Sequence, residues 1–136
     1  MSVSTYEQQQ REDLVIPWTL YAGDAANIDI TPGNDYPVLV EANAKIKRLT
    51  AVAQGLTASS QFVVELLRGS TVLTTLTSAV PYVAGVIVTS GAINVNIYKD
   101  ETLTLRVRAT DADTDDFTGL RIQAALQPVA DQDDAG

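Results

Sequence analysis

Four aspartates crowd into one short stretch, as Asp111, Asp113, Asp115 and Asp116. Alternating carboxylates of this kind open calcium-binding loops, because a hard cation takes several oxygen ligands at once. The EF-hand loop also requires a glycine at its sixth position and a bidentate glutamate at its twelfth. Counted from Asp111, those positions hold Asp116 and Ile122, so this template fails. A calcium site of another type stays open, but a solvated loop between two strands is the favoured interpretation.

Two side-chain types that often act in catalysis are missing. The chain has no cysteine and no histidine, which excludes thiolate nucleophiles, imidazole bases and nearly every structural zinc arrangement. No Gly-x-Ser-x-Gly elbow is present. Carboxylate pairs for glycoside cleavage could be drawn from Asp24, Asp29, Asp35 and Glu41, but they would need a cleft with sugar-binding aromatic residues, and aromatic residues make up 6% of the chain. The sequence therefore predicts no enzyme, no cofactor and no metal centre.

The formal net charge of −8 argues against nucleic-acid binding, which requires lysine and arginine to displace counterions from phosphates. No stretch has the length and hydropathy of a membrane span, and Met1 to Asp13 hold no apolar signal-peptide core. We therefore expect a soluble protein that is made in the cytoplasm. We expect its partner to be neither a nucleic acid, nor a membrane, nor a small-molecule substrate.

The body of the sequence alternates apolar and polar residues with a period of two. The apolar positions form three series: Ile93, Val95 and Ile97; Leu103, Leu105, Val107 and Ala109; and Leu120, Ile122, Ala124 and Leu126. This period predicts half-buried strands in antiparallel sheets. Eight or nine short strands, at spacings of about eight to twelve residues, are typical of a sandwich or jelly roll. The sequence thus predicts an all-β, antiparallel β-sandwich of jelly-roll type.

Arginines occupy several of the polar positions in these series. Arg106, Arg108 and Arg121 are expected on the outward faces of neighbouring strands. There they either pair with acidic side chains or face the acidic groups of a partner. A basic nucleic-acid patch is not favoured, because no aromatic platform interleaves with them.

Two local irregularities are predicted. The apolar phase shifts by one residue between Ile46 and Leu49, which predicts a β-bulge near Lys47 and Arg48. The chain reverses at Arg68-Gly69-Ser70 between two apolar segments, which predicts a β-hairpin.

The segment before residue 43 is predicted to hold two strands. A short strand passes through Ile28 and Ile30 and ends in a turn over residues 31–35, where turn-forming residues are dense. An inward-facing series of Val38, Val40 and Ala42 follows.

Both ends of the chain differ from its body. Residues 1–13 are polar, residues 14–129 hold almost all of the apolar side chains, and residues 130–136 are acidic. These ranges predict an extended N-terminal arm, a β-sandwich domain and an acidic C-terminal tail. The residues directly behind the arm suit contact with a partner protein: Leu14, Val15, Ile16, Trp18 and Tyr21. Tryptophan and tyrosine at such a position favour a sandwich end or an interface over a sugar platform.

One long segment resembles a known family. Residues 93–113, INVNIYKDETLTLRVRATDAD, followed by residues 120–126, LRIQAAL, resemble the last strands of small jelly-roll domains in virion proteins of tailed bacteriophages. The hairpin that begins at residues 62–69, FVVELLRG, is similar to their middle strands, so the resemblance covers about residues 44–127. It implies a capsid decoration or cement protein, a homotrimer that binds the major capsid protein on the outer surface of the virion through an N-terminal arm.

Two alternatives stay open. Receptor- or carbohydrate-binding heads of phage fibres share the jelly-roll fold, usually at the end of a longer chain with a shaft; the sequence holds no such shaft, which favours the decoration protein. A receptor- or carbohydrate-binding head would contact sugars through Trp18 and Tyr82. A calcium-dependent adhesion module is the third hypothesis and predicts a role for Asp113.

Overall fold

A computed structural model describes residues 15–29, 33–56, 61–79, 82–109 and 114–129, and these residues contain ten strands and no helix. Several predictions lie outside the described residues. They are the arm over residues 1–13, the partner-binding residue Leu14, Asp111 and Asp113 of the aspartate-rich loop, and the tail over residues 130–136.

The strands, in chain order, are β1 (Ile16–Asp29), β2 (Asn34–Leu39), β3 (Ala44–Val52), β4 (Gly55–Leu56), β5 (Phe62–Arg68), β6 (Thr71–Thr77), β7 (Val88–Thr89), β8 (Val95–Ile97), β9 (Thr102–Ala109) and β10 (Thr114–Pro128). Setting aside the two-residue strands β4 and β7 leaves eight, which agrees with the eight or nine predicted. Two of the eight are not short, since β1 has 14 residues and β10 has 15.

The strands form two antiparallel sheets. Sheet 1 has the order β1-β10-β3-β7, with β8 also paired to β3 and β4 to β10, and sheet 2 has the order β2-β9-β5-β6. Without β4 and β7, the two orders are 1-10-3-8 and 2-9-5-6. Successive strands alternate between the sheets except at the β5–β6 hairpin, which gives the eight-stranded double-sheet arrangement of a jelly roll. The predicted fold class is confirmed.

The core lies between the inner faces of the two sheets. Leu103, Leu105 and Val107 of β9 are completely buried, as the period of two predicts for the inward positions of a strand. Phe62 of β5 in sheet 2 is also completely buried, and its ring centroid lies 5.7 Å from that of Phe117 of β10 in sheet 1. Aromatic contact therefore joins the two sheets at the centre of the core.

The predicted bulge in β3 is confirmed. Ala125 of β10 pairs with Arg48, but the next residue, Leu126, pairs with Ile46, so Lys47 is the extra residue. The bulge keeps apolar residues facing inward on both sides of the shift, because one inserted residue restores the two-residue period.

The predicted hairpin is confirmed as well. Arg68 of β5 pairs with Thr71 of β6, and Gly69 and Ser70 form the two-residue connection. Gly69 has a φ of +61°, whereas the φ of Ser70 is not positive. Glycine with a positive φ at the first central position is the pattern of a type II′ turn, whose twist matches that of the strands.

The structure corrects the prediction for the segment before residue 43. Ile28 belongs to the long strand β1 and not to a separate short strand, and Ile30 lies outside the described residues. The pairing of β1 with β10 shifts after Thr19, after Gly23 and after Ala25. These irregularities interrupt the alternation of apolar residues, so the sequence pattern predicts two strands where the structure has one bent strand. Strand β2 begins at Asn34, inside the predicted turn.

Ala42 also departs from the prediction. Val38 and Val40 are buried as expected, but Ala42 is exposed, because β2 ends at Leu39 and the chain then turns toward β3.

Candidate functional site

The predicted partner-binding residues lie at the start of β1, the outermost strand of sheet 1. Ile16, Trp18 and Tyr21 pair with Leu126, Ala124 and Ile122 of β10, in that order, and these partners face the core, so all three are directed to the inner side of the sheet. Directly opposed residues of an antiparallel pair share a face. Ile16 keeps 42% of its surface exposed, while Trp18 and Tyr21 are half-buried. Strand β1 thus presents an apolar residue at the open rim of the sandwich.

A groove of about 410 Å³ opens between the sheets at this rim. Ile16, Pro17 and Trp18 form one wall, and residues 39–42 form the opposite wall. Ala44, Ile97 and Leu126 lie between the walls. Glu41 is the one charged side chain among the described residues that line the groove, which is therefore mainly apolar.

Leu39 is a groove residue that the sequence analysis missed. It lies on the wall opposite Ile16 and keeps 59% of its surface exposed. The signal was present in the sequence, since Val38 and Val40 face the core and the residue between them must face outward. An apolar residue at an outward position is informative when it adjoins other exposed apolar residues, as Leu39 does across the groove.

The wall over residues 39–42 is held by the turn between β8 and β9. Val40 exchanges two backbone hydrogen bonds with that turn, donating to the Glu101 carbonyl at 3.0 Å and accepting from the Asp100 amide at 2.8 Å. The amide of Lys99 donates to Oδ1 of Asn43 at 2.9 Å. Asp100 adopts a φ of +72°, which this tight turn requires. Hydrogen bonds within the domain therefore hold this wall of the groove in place.

Both ends of the described domain lie beside the groove. Ile16 pairs with Leu126, and the amide of Val129 donates to the Asn43 carbonyl at 3.3 Å. Val15 and Val129 are 49% and 38% exposed and extend the apolar surface around the opening. The first and last residues that the structure describes, Val15 and Val129, therefore lie at this end of the sandwich.

Tyr21 does not line the groove. Its ring centroid lies 4.5 Å from that of Tyr36 in β2, and its hydroxyl donates to the Asp24 carbonyl at 2.8 Å. Burial, with a further contribution from Tyr36, raises the pKa of the Tyr21 hydroxyl, so the group stays protonated as a donor. These contacts fix the edge strands of the two sheets to each other.

The carboxylates considered for catalysis lie in separate surroundings. Oδ1 of Asp24 accepts a hydrogen bond from the Gly119 amide at 2.7 Å, Asp35 pairs with Arg106, and Glu41 lines the groove. Nothing is described of the Asp29 side chain. The structure therefore does not bring Asp24, Asp35 and Glu41 together as a catalytic pair.

The described residues contain neither a cluster of metal ligands nor a helix that could span a membrane. No group of three or more acidic, histidine or cysteine side chains is placed to hold a metal ion in the part of the chain that the structure describes. Within the same residues, no helix has the length and apolar character needed to cross a membrane.

The arginine prediction is confirmed for β9. Arg121 faces outward as predicted, but its strand is not a neighbour of β9. Nε of Arg106 lies 2.7 Å from Asp35, and Nε of Arg108 lies 2.9 Å from Glu65, so these side chains form a ladder across the outer face of sheet 2. Arg121 lies on β10 in sheet 1. The strands β9 and β10 are consecutive in the chain but belong to different sheets, so Arg121 is on the opposite side of the sandwich.

A second apolar surface lies at the end of the sandwich away from the groove. Val83, Val86 and Ile87 are 63%, 50% and 70% exposed. Tyr82 anchors their loop, since its hydroxyl accepts a hydrogen bond from the Ala53 amide at 3.0 Å and donates to the Val86 carbonyl. Tyr82 itself is buried, which makes it a structural residue and not the exposed sugar contact that the carbohydrate-binding alternative predicts.

Comparison with known proteins gives no family for this chain, since no protein-family model and no curated protein matches it. Among solved structures, it is similar to a novel β-glucosidase from Paenibacillus barengoltzii, with 15% identity, a TM-score of 0.39, and coverage of 74% of this chain and 10% of the glucosidase. The chain thus spans about a tenth of that protein.

Two further solved structures are similar. One is a CBM36 carbohydrate-binding module in complex with calcium and xylotriose, with 11% identity, a TM-score of 0.44, and coverage of 81% of this chain and 93% of the module. The other is a structure of infectious bursal disease virus, Gx strain, with 12% identity, a TM-score of 0.30, and coverage of 88% of this chain and 37% of that chain.

Proposed function

We propose that this chain is a non-enzymatic virion protein that binds and stabilises a phage capsid shell, docking through the groove between β1 and residues 39–42. The observation that carries the proposal is the pair of exposed aliphatic side chains, Ile16 and Leu39, that both line a preformed apolar groove. Such a groove fits an apolar side chain from a protein surface. A sugar would require more polar groups to satisfy its hydroxyls.

Burial of the exposed side chains in the groove would supply only part of the binding energy. Ile16 and Leu39 retain about half of their surface to be buried, which contributes roughly 1 kcal/mol each. Tight binding therefore requires further contacts, which the N-terminal segment would supply since it is attached beside the groove. A homotrimer would multiply the contacts with the major capsid protein through effective concentration.

Stabilisation of the shell would follow from mass action. A protein that binds the assembled shell but not its separate subunits shifts the equilibrium toward the shell. The proposed location is the outer surface of the capsid, after synthesis in the host cytoplasm. The net charge of −8 suits a position away from packaged nucleic acid.

The proposal is tested by adding purified protein to phage particles that lack it and measuring bound copies per particle. Leu39→Asp places a charge in the groove at an exposed position and should reduce affinity at least tenfold. Ile87→Asp is the matched control, since Ile87 is also exposed but lies at the other end of the sandwich. Equal binding by the wild type and Leu39→Asp would refute docking through the groove.

The contribution of the arm is tested in the same assay. Deletion of residues 2–13 should abolish binding to the particles and leave the melting temperature of the domain unchanged. An unchanged number of bound copies per particle after the deletion would count against a role for the arm. Absence of the chain from wild-type particles would count against the whole proposal.

A receptor- or carbohydrate-binding head is the second candidate, and one observation favours it. The half-buried ring of Trp18 forms part of a groove wall, where it could contact a sugar. This candidate predicts glycan binding by the isolated protein that Trp18→Ala removes. Glycan binding without any binding to particles would replace the first proposal with this one.

A further inference from the structure

The outer face of sheet 1 carries a group of cations on its two central strands. Lys45 and Arg48 of β3 are opposite Gln127 and Ala125 of β10, and Arg121 of β10 is opposite Val52. These positions alternate with buried residues and therefore face away from the core. We refer to Lys45, Arg48 and Arg121 as the basic face.

No acidic residue lies in the strand segments around the basic face. Residues 16–23 of β1, residues 120–128 of β10, and the whole of β3 and β8 contain no aspartate or glutamate. The acidic residues of sheet 1 fall in the remaining parts of β1 and β10, toward the other end of the sandwich. A protein with a net charge of −8 thus concentrates positive charge on half of one sheet.

The cations of sheet 1 differ from those of sheet 2 in their partners. Arg106 and Arg108 of sheet 2 are each neutralised by a carboxylate at 2.7 and 2.9 Å. Within the described part of the chain, Lys45, Arg48 and Arg121 take part in none of the ion pairs. Neighbouring Lys47 donates to a neutral group, Oδ1 of Asn94, at 3.2 Å. The charge of the basic face is therefore left to attract an external anion.

The basic face also has a shaped recess. Pro17, Ala125 and Arg48 are opposed across three adjacent strands, and the small side chain of Ala125 leaves a cavity of about 230 Å³ between its neighbours. Gln123 lines the same cavity and donates to Oγ1 of Thr19 at 3.4 Å. A guanidinium beside a recess with an amide group suits a carboxylate side chain, which arginine binds in a bidentate manner.

The spacing of the cations suits an extended acidic peptide. Arg48 and Val52, which is opposite Arg121, are four residues apart on β3, or roughly 13 Å along the strand. Alternate residues of an extended peptide are spaced by roughly 7 Å on one side of its backbone. Acidic residues at alternate positions would therefore meet Arg48 and Arg121 together.

We propose that the basic face, with the recess over Ala125, is a docking surface for an extended acidic segment of a partner protein. Three cations on a protein of net charge −8 are too few for a polyphosphate backbone, whose binding depends on neutralising many phosphates. A short peptide needs only two or three charge pairs. This surface meets the groove at Pro17 but lies on the outer face of sheet 1. The inference does not depend on the capsid function.

Fluorescence anisotropy with a labelled (Glu-Ser)4 peptide in 50 mM NaCl tests the proposal on the full chain. The double variant Arg48→Gln/Arg121→Gln should bind the peptide at least tenfold more weakly than the wild type. The double variant Arg106→Gln/Arg108→Gln is the matched control, since it loses the same charge from sheet 2 and should bind within twofold of the wild type. Equal weakening in both variants, or no saturable binding by the wild type, would overturn the proposal.

Two further arms distinguish other occupants. Removal of residues 130–136 should leave the affinity for the peptide within twofold of that of the full chain. A tenfold increase would show that the chain's own acidic segment occupies the basic face, and it would overturn the proposal of a partner protein. A labelled oligothymidylate of the same charge should bind at least tenfold more weakly than the peptide. Equal binding through Arg48 and Arg121 would overturn the proposal in favour of nucleic acid.

Discussion

Arg68 and Glu101 form a bidentate ion pair, in which Nε and Nη2 of the guanidinium donate to the two carboxylate oxygens at 2.7 and 2.9 Å. The pair joins the end of β5 to the start of β9 within sheet 2. Arg68 also donates to the Asn96 carbonyl in sheet 1 at 3.0 Å and lies 5.3 Å from the ring centroid of Tyr98. The pair therefore ties the two sheets together at the groove end.

Glu101→Gln should destabilise the protein by about 1–2 kcal/mol. The substitution removes the charge that Arg68 binds and weakens the acceptor of the Tyr98 amide, which lies 2.7 Å from Oε2 of Glu101. Urea unfolding followed by circular dichroism measures the effect. Asp35→Asn is the control, since the Asp35 side chain is more exposed than that of Glu101 and the loss of its pair with Arg106 should be smaller. An equal loss in the two variants would contradict the role given to Arg68.

Stability should decrease in acid through Glu101. Hydrogen bonds from Arg68 hold the pKa of the Glu101 carboxyl below its usual value of 4.5. A carboxyl whose pKa is lower in the folded protein binds protons more readily when unfolded, so its contribution is complete above its unfolded-state pKa and is lost as the pH falls through the folded-state pKa.

The measurement is the free energy of unfolding in urea between about pH 6 and pH 2.5. The wild type should lose more stability over this range than Glu101→Gln, and the two curves should converge at the acid end. Other carboxyls titrate in both proteins, so the difference between the curves isolates Glu101. Parallel curves would show that the ion pair does not stabilise the folded state.

Local features of the fold could be predicted from the sequence because alternation is a local property. The two-residue spacing alone predicts which side chains of β9 face inward, namely Leu103, Leu105 and Val107. The bulge at Lys47 was also predictable, since one extra residue changes the phase of the apolar series. A strand with three such irregularities, as in β1, loses its series, and Ile28 was therefore assigned to a separate strand.

The pairing of strands is not a local property. Arg106 and Arg121 have the same alternating surroundings in the sequence, yet they lie on opposite sides of the sandwich because β9 and β10 enter different sheets. For the same reason the sequence identified Ile16 and Trp18 but not Leu39. Only the fold brings Leu39 to the groove beside residues that precede it by more than 20 positions.

Tyr82→Phe should destabilise the protein by about 1–3 kcal/mol, because it leaves a buried backbone donor, the Ala53 amide, without its acceptor. The ring of Tyr82 contacts Phe62 at a centroid distance of 4.8 Å and would remain in place. Thermal unfolding measures the change. Tyr98→Phe serves as the control, since Tyr98 is 53% exposed and the loss of its hydroxyl should change stability by less than about 0.5 kcal/mol.

Gly33→Ala should be far more destabilising than Gly85→Ala, although the two glycines have nearly the same backbone conformation, with φ of +83° and +85°. A Cβ at Gly85 meets nothing within 4 Å, so alanine there bears only the strain of a positive φ, about 1 kcal/mol. A Cβ at Gly33 would clash with the Val107 carbonyl oxygen. That oxygen belongs to β9, which is held between β2 and β5 and cannot move away alone.

The loss at Gly33 should therefore exceed about 3 kcal/mol, since the pairing of β2 with β9 must open to admit the methyl group. Urea unfolding of both variants gives the comparison, and hydrogen exchange of the β2 and β9 amides locates the damage. Exchange should accelerate in these two strands for Gly33→Ala and stay unchanged for Gly85→Ala. Equal losses of stability would mean that the close approach of Gly33 to β9 does not hold in solution.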